Sequence, residues 1–155
     1  MINNKINKGL TKSLNIGISL CKEDYIARAD AGDIWHIDKI RQQEIFLQKN
    51  KNIVCVGTQC GYFLDSFNKI NLKSNFPNLD REILKASNFI GTSPASHSSI
   101  LIRKQFLKYN ELFKRSQDLD LYLRLLSSGM RIANINKVLS FVYSDPKGIS
   151  INNKP

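Results

Sequence analysis

Two carboxylates, Asp30 and Asp33, follow a short apolar run at residues 25–29. The run predicts a buried strand, so the carboxylates come where that strand ends and before a helix begins. Carboxylates gathered at the carboxyl end of a strand are typical of sites for hard divalent cations and nucleotide ligands. Taken by itself, the turn also permits a structural interpretation, in which Asp33 caps the next segment and Gly32 supplies a positive φ.

A histidine followed by two serines, His97, Ser98 and Ser99, starts an apolar run that predicts a strand over residues 97–102. An imidazole beside hydroxyls could bind phosphate, ligate a metal or act as a base. A half-buried histidine with a structural hydrogen bond is the alternative. The sequence has no Gly-x-Ser-x-Gly elbow that would make either serine a nucleophile.

Asp118 and Asp120 stand at the start of a segment with helical spacing of apolar residues, which predicts a helix ended by Gly129. The macrodipole of a helix favours negative charge in its first turn, so capping alone would explain both residues. Asp118 would also suit a general base if an acceptor hydroxyl reaches it. Arg124 is better explained by a structural ion pair than by contact with a substrate.

The elements that must position these groups alternate between helix and strand. Apolar residues at 10, 14, 18 and 21 predict a helix over residues 7–21, and Asp38 is expected to cap a helix over residues 39–49. Further strands are predicted at 53–56, 132–135 and 138–143, with 57–64 continuing the first of these or pairing back, and short helices at 80–84 and 103–109. This order predicts a layered α/β fold.

Charge and cysteine content limit the function classes. The chain of 155 residues has a net charge of +10, from 23 basic and 13 acidic residues, which favours anionic partners such as nucleotide diphosphates or acidic lipids. The basic residues are scattered, without a recognition-helix pattern or zinc-finger spacing, so no nucleic-acid partner is expected. Cys21, Cys55 and Cys60 form no disulfide framework, and no signal peptide or membrane span is evident, which predicts a cytoplasmic protein.

Six segments, in their order and spacing, resemble the family 2 glycosyltransferases. They are residues 9–18 (GLTKSLNIGI), 25–34 (YIARADAGDI), 38–43 (DKIRQQ), 53–58 (IVCVGT), 97–104 (HSSILIRK) and 117–124 (QDLDLYLR). The similarity extends from about Asn7 to Tyr143.

The resemblance implies an A-type glycosyltransferase fold, a mixed sheet flanked by helices, in a domain over residues 1–145 that is followed by a flexible tail at 146–155. It implies transfer of a sugar from a nucleotide-diphospho-sugar to a hydroxyl of a saccharide or lipid-linked acceptor. The transfer would proceed with inversion, in surface polysaccharide or lipopolysaccharide biosynthesis.

The same resemblance assigns roles to individual residues. Asp30 matches the first residue of the family's Asp-x-Asp element and, with Asp33, is expected to bind Mg²⁺ or Mn²⁺ and the donor diphosphate. Asp118 matches the base that deprotonates the acceptor. Asn15 and His97 lie in matching segments and are expected to contribute to donor binding.

Two departures from the family pattern shape the expectations. Gly32 stands where the family has a second acidic residue, which predicts weaker metal binding. The first strands of the family's fold are lacking, so a complementing N-terminal segment is an expected partner. A non-catalytic truncated remnant, half of a split enzyme, and a basic module for acidic lipid or nucleic acid therefore stay open as alternatives, as does peripheral contact with the inner face of the membrane.

Overall fold

The computed structural model describes residues 4–64, 72–74, 76 and 93–144. Within these ranges the helices are α1 (Leu10–Leu20), α2 (Lys39–Lys49) and α3 (Gln117–Ser127). The strands are β1 (Tyr25–Ala27), β2 (Ile34–Trp35), β3 (Ile53–Phe63), β4 (Leu72–Lys73), β5 (Leu101–Arg103) and β6 (Arg131–Tyr143).

The strands form one mixed sheet in the order β1-β5-β3-β6-β2, and β4 pairs with the far end of β3. The long strands β3 and β6 are parallel, whereas the remaining pairs are antiparallel. Gly57 lies on β3 where an added Cβ would come within 2.2 Å of Asn134 Oδ1 on β6, so only glycine permits this approach. The predicted α/β class, with a mixed sheet flanked by helices, is confirmed.

Helices cover both faces of the sheet because its strands alternate their apolar side chains. Ile102 points into a core with Leu121 and Tyr122 of α3, against which α1 also packs. The neighbouring Leu101 points into a second core with Leu47 of α2. No helix of the described residues is long and apolar enough to cross a bilayer.

The strand predicted over residues 97–102 is wrong in its first half. Residues His97–Ser99 form a 3₁₀ turn, and β5 begins only at Leu101. The turn is fixed by Ser99, which donates to the Ser96 carbonyl from its amide at 3.0 Å and from its hydroxyl at 2.8 Å. Hydroxyl side chains that bond to nearby backbone in this way compete with a strand ladder.

The short helix predicted over residues 103–109 is also wrong, because only Lys104–Phe106 forms a 3₁₀ turn. The Lys104 amide donates to the Asp24 carbonyl at 2.8 Å, which continues the pairing with the chain before β1. Leu107 and Tyr109 are buried, and Tyr109 is bonded through its backbone to α1.

The two late strands predicted at 132–135 and 138–143 are one strand, β6, with an irregularity between them. Thr58 pairs with Ile135, and the next residue of β3, Gln59, pairs with Val138, so residues 136–137 bulge from the ladder. Residues 57–63 continue β3 instead of folding back.

The remaining predictions have mixed outcomes. The three long helices fall within three residues of the predicted bounds, with no difference for α2, and Gly129, with a φ of 77°, ends α3 as expected. Asp38 lies at the N-cap position of α2 but its side chain makes no capping hydrogen bond. The helix predicted at 80–84 and the tail at 146–155 lie outside the described residues.

Candidate active site

The acidic turn is fixed by its own backbone. The Asp33 amide donates a hydrogen bond to the Asp30 carbonyl at 3.2 Å, and Gly32 has a φ of 91°. An added Cβ at Gly32 would lie 3.3 Å from Cδ1 of Tyr143. The positive φ that the structural interpretation of this turn assigned to Gly32 is present, and an L side chain at this position would be strained.

Asp30 forms a two-pronged ion pair with Arg28. Nη1 of Arg28 lies 2.5 Å from Oδ2 of Asp30, and Nη2 donates to Oδ1. The Asp30 side chain is 50% exposed and that of Arg28 only 11%. Because both carboxylate oxygens already accept from the guanidinium, a cation that uses Asp30 as a ligand must share it with Arg28 or displace it.

Asp33 reaches the end of β6, where its Oδ1 accepts a hydrogen bond from the Tyr143 amide at 3.1 Å. Its Oδ2 is buried and has no hydrogen-bond partner among the described residues. Burial raises the pKa of the Asp33 carboxyl, and the charge of Asp30 adds to the rise, although Ser98 and the Tyr143 amide offset part of it. A buried carboxylate oxygen in this state is available as a ligand to a cation.

A buried lysine, Lys39, lies against β2, the strand that follows the turn, and no sequence pattern indicated it. Lys39 is fully buried, with Nζ 4.0 Å from the centre of the Trp35 ring and 2.9 Å from Oε1 of Gln43. Gln43 in turn donates to the carbonyls of Val56 and Ser99, both at 2.8 Å. Burial lowers the pKa of Lys39 to about 8. This network ties β2, and the turn before it, to α2 and β3.

Asp118 and Asp120 lie in the first turn of α3 and differ in their partners. Asp120 accepts from Nε of Arg124 at 2.9 Å, so the structural ion pair predicted for Arg124 is confirmed, with Asp120 as its partner. Asp118 is half-buried and makes no hydrogen bond or ion pair with another described residue. Its carboxylate therefore remains available to a ligand.

His97 is bonded to a tyrosine that the sequence did not indicate. Its Nε2 lies 2.6 Å from the hydroxyl of Tyr109, and the two rings meet edge to face. Burial, together with the nearby charge of Arg28, lowers the pKa of His97 to about 3. The imidazole is therefore neutral at physiological pH, and its hydrogen bond fixes the Tyr109 hydroxyl.

Tyr109 lies within electrostatic range of aspartates on two separate elements. Burial raises the pKa of its hydroxyl, Arg28 opposes the rise, and the charges of Asp118 and Asp30 both add to it. Asp30 follows β1 and Asp118 opens α3, so a common effect on one hydroxyl brings residues 88 positions apart into one electrostatic environment.

Asn15 attaches α1 to the same tyrosine. Its amide donates to the Tyr109 carbonyl at 2.9 Å and to Oε1 of Glu111 at 3.1 Å, and its carbonyl oxygen accepts from the Tyr109 amide at 3.0 Å. The Asn15 side chain thus fixes the backbone at Tyr109. The sequence separation of 94 residues hides this contact from any local pattern.

A divalent cation was expected at the acidic turn, and the donor set there can be tested directly. No group of three or more His, Cys, Asp or Glu side chains able to hold a metal occurs in the described parts of the chain. Asp33 has one buried carboxylate oxygen without a hydrogen-bond partner among the described residues. Both carboxylate oxygens of Asp30 already accept hydrogen bonds from Arg28. These two carboxylates fit a cation whose other ligands come from a bound anion and water.

Residues 1–110 match the family model described as glycosyl transferase family 2. The chain belongs to family 2 of the glycosyltransferases. Among curated relatives in this family, the putative glycosyltransferase EpsE of Bacillus subtilis is 31% identical over 151 residues, which cover 94% of this chain and 52% of EpsE. The amylovoran biosynthesis glycosyltransferase AmsE of Erwinia amylovora is 27% identical over 136 residues, 86% of this chain and 50% of AmsE. This family 2 chain thus spans about half the length of the curated relatives it matches.

Solved structures agree with the family 2 assignment at the level of the fold. TarS residues 1–349 of S. aureus in complex with UDP-GlcNAc superpose with a TM-score of 0.62 at 13% identity, over 95% of this chain and 42% of TarS. The complex of the same protein with UDP gives a TM-score of 0.60 at 12% identity, over 89% and 41%. The predicted resemblance to the family 2 fold is confirmed.

Proposed function

We propose that this family 2 chain carries the metal–diphosphate and acceptor-base part of a nucleotide-sugar-dependent glycosyltransferase. The proposal rests chiefly on one observation: Asp118, on a separate element from the acidic turn, makes no hydrogen bond or ion pair with another described residue. Asp33, next to Asp30, adds a buried oxygen without a hydrogen-bond partner among the described residues. One site would then contain carboxylates for a cation and a carboxylate for a base.

Asp30 and Asp33 are the residues that would hold Mg²⁺ or Mn²⁺. A divalent cation generally accompanies the donor in family 2, where it neutralises charge on the departing diphosphate. Because Gly32 adds no carboxylate, most of the cation's six or so oxygen ligands must come from the donor diphosphate and water. We therefore expect weak metal binding without the donor and tighter binding with it.

Asp118 is the proposed general base. Its carboxylate would take the proton of the acceptor hydroxyl while that oxygen attacks the anomeric carbon, and the nucleoside diphosphate would leave from the opposite side, which inverts the configuration. The first turn of α3 suits this role because it holds the Asp118 carboxylate without a hydrogen bond or ion pair to a described residue. Asp120 is excluded from the role by its ion pair with Arg124.

His97 and Asn15 are proposed to serve donor binding through Tyr109. His97 forms a hydrogen bond with the Tyr109 hydroxyl, and Asn15 forms hydrogen bonds with the Tyr109 backbone. They would hold the Tyr109 hydroxyl and ring against the pair of Arg28 and Asp30. Arg28 would hold Asp30 in a fixed orientation until the cation and donor enter.

The comparisons suggest the donor and the process to test first. TarS has been solved with UDP and with UDP-GlcNAc, so uridine diphosphate sugars are the first candidates for the donor. AmsE is named for amylovoran biosynthesis, which supports surface polysaccharide biosynthesis, with a saccharide or lipid-linked acceptor, as the process. The reducing cytoplasm suits the free state of Cys21, Cys55 and Cys60.

An open strand edge supports a further part of the proposal. β1 pairs with β5 on one side, and no strand among the described residues pairs with its other side. We propose that another segment completes the sheet along β1 and supports the nucleoside of the donor. The coding sequence immediately upstream is the first source to test.

The function is tested by sugar transfer from a panel of radiolabelled nucleotide sugars with Mn²⁺ or with a chelator. The chain is assayed alone and expressed together with its upstream coding sequence. We expect transfer from at least one donor that requires Mn²⁺ and is lost in Asp118→Asn. Absence of transfer from every donor in both forms would contradict the catalytic proposal, and equal transfer in the presence of the chelator would contradict the role of the metal.

A further inference from the structure

Four exposed apolar side chains lie where α1 begins and where the turn before α3 projects. Leu112 is 88% exposed and Phe113 43%, while Ile6 is 70% and Leu10 50% exposed. Single exposed apolar residues are common, but a group of four is a mark of an interaction surface. We call these four residues the apolar patch.

Hydrogen bonds bring the two halves of the apolar patch together. The Thr11 hydroxyl donates to the Phe113 carbonyl at 2.7 Å, which joins the first turn of α1 to the turn before α3. That turn is itself fixed, because Asn110 accepts from the Phe113 amide through its carbonyl at 3.1 Å and from the Leu112 amide through its side chain at 3.1 Å. Leu112 is therefore held outward by an ordered turn.

Basic residues border the apolar patch on both sides. Lys5, Lys8 and Lys12 alternate with Ile6 and Leu10 along the chain, and Lys114 and Arg115 directly follow Phe113. All five basic side chains are exposed, and none forms an ion pair with a described residue. The one acidic residue inside this border, Glu111, accepts a hydrogen bond from Asn15.

The apolar surface continues along α3. Phe113, Leu119 and Leu123 line a shallow groove of about 320 Å³ that opens beside the turn and also contains Ser116, Ser127 and the Asp120–Arg124 ion pair. The combination of an apolar centre, a border with five basic residues and one acidic residue, and an adjoining groove with apolar side chains matches what an anionic lipid surface requires. Nucleic acid would use the charges but would leave Leu112 without a partner.

We propose that the apolar patch and its basic border dock this chain on an anionic lipid bilayer. Leu112 and Phe113 enter the boundary between headgroups and acyl chains, and the five cations face the lipid phosphates. Neither contribution is sufficient alone, because a few apolar residues or a few lysines give only weak, reversible binding, whereas the two together give a stable contact.

Docking in this way would have a consequence for transfer, and this part rests on the proposed function. Asp118 lies five residues after Phe113, and Tyr109 lies four residues before it. The base would therefore stand close to the membrane, where a lipid-linked acceptor presents its hydroxyl. The lipid test below uses no nucleotide sugar, so its outcome is independent of whether transfer occurs.

The test is co-sedimentation of the full chain with phosphatidylcholine vesicles, with and without phosphatidylglycerol. We expect binding only to the anionic vesicles, weakening steeply with salt. Leu112→Glu should weaken binding at least tenfold, and the double variant Lys114→Glu, Arg115→Glu should weaken it by a similar factor or more. The matched control is Ile37→Glu, which introduces the same charge at a 94% exposed apolar residue that lies just after β2 in the chain and is not part of the apolar patch, and should leave binding unchanged.

Three results would overturn the proposal. The first is no binding of the wild-type chain to anionic vesicles, with circular dichroism showing it folded. The second is an equal loss in Ile37→Glu and Leu112→Glu, which would mean that net charge alone decides. The third is concentration-dependent dimerisation without vesicles that Leu112→Glu abolishes, which would assign the apolar patch to a second copy of this chain.

Discussion

The acidic turn and the first turn of α3 each carry two aspartates, and in each pair only one is neutralised by an arginine. Asp30 is bound by Arg28, and Asp120 is bound by Arg124. The other member of each pair differs: Asp33 keeps one buried oxygen without a hydrogen bond from a described residue, and Asp118 keeps both oxygens without such a bond. The chemistry proposed for each turn falls on the residue that its arginine leaves available.

The two turns differ in how the available carboxylate is supported. Asp33 is half-buried and shares a turn with Asp30, so its pKa is raised and a cation would relieve the cost of its charge. Asp118 stands in the first turn of α3 and accepts no hydrogen bond from a described residue. The first environment suits a metal ligand and the second suits a base that must be charged before the acceptor arrives.

The largest expected effect comes from removing the proposed base. Asp118→Asn should lower the transfer rate by about 10²- to 10⁴-fold, the usual contribution of general base catalysis. Asp120→Asn is the matched control, because it breaks only a partly exposed ion pair and should cost less than about threefold. Equal losses in the two variants would remove the distinction between the members of this pair.

The acidic turn is tested by Mn²⁺ binding in the presence of UDP, followed by electron paramagnetic resonance. Asp33→Asn should weaken Mn²⁺ binding at least tenfold because it removes the charge of the one available buried oxygen. Asp30→Asn should weaken it less, since Asp30 already shares its oxygens with Arg28. The reverse order would mean that Arg28 leaves Asp30 when the cation binds and that Asp33 is structural.

Two variants at Gly32 distinguish the effect of the backbone conformation of the acidic turn from the effect of an added charge. Gly32→Ala should destabilise the fold by about 1 kcal/mol, because φ is 91° and the new Cβ would meet the Tyr143 ring. Denaturant unfolding measures this cost. Gly32→Asp should carry the same cost and should also raise Mn²⁺ affinity relative to Gly32→Ala; no difference in affinity between the two variants would show that a carboxylate at this position does not reach the metal.

A pH-dependent effect is expected for the stability of the region around Tyr109. Burial lowers the pKa of His97 to about 3, against about 6.5 in an unfolded chain. The stability from the neutral imidazole is therefore complete above about pH 6.5 and is lost as the pH falls towards 3. Between about pH 7 and 5 we expect a loss of about 2 kcal/mol in the free energy of unfolding.

The source of that pH dependence is identified by two variants measured in the same unfolding experiment. His97→Asn should flatten the loss, whereas His36→Asn should retain it, because His36 is exposed near β2 and has no contact with Tyr109. A slope that is unchanged in His97→Asn would contradict the assignment.

Local patterns predicted the parts of the fold that depend on local forces. The periodicity of apolar residues located α1, α2 and α3 closely, and the β-branched run from Ile53 located β3. The pattern failed at residues 97–102, where serine hydroxyls bonded to backbone override an apolar alternation. It also could not predict that one bulged strand, β6, replaces two, because β6 follows its parallel partner β3 over the whole length.

The candidate site could be predicted only where its functional residues are close together in the sequence. The acidic turn and the first turn of α3 could be found, and so could the positive φ of Gly32. Arg28 and Asp30 are two positions apart, so a pattern of opposite charges could have indicated their ion pair. The role of Tyr109 could not be predicted, because its contacts with His97 and Asn15 join residues 12 and 94 positions apart.

The central claim is that the two turns form one reaction site with divided roles. It is tested most directly by the Mn²⁺ dependence of sugar transfer in the wild-type chain, Asp33→Asn and Asp118→Asn. The account predicts that Asp33→Asn shifts the half-saturating Mn²⁺ concentration upward and keeps transfer at high Mn²⁺, while Asp118→Asn lowers transfer at every concentration without a shift. A shift of the Mn²⁺ dependence in Asp118→Asn, or its absence in Asp33→Asn, would contradict the account.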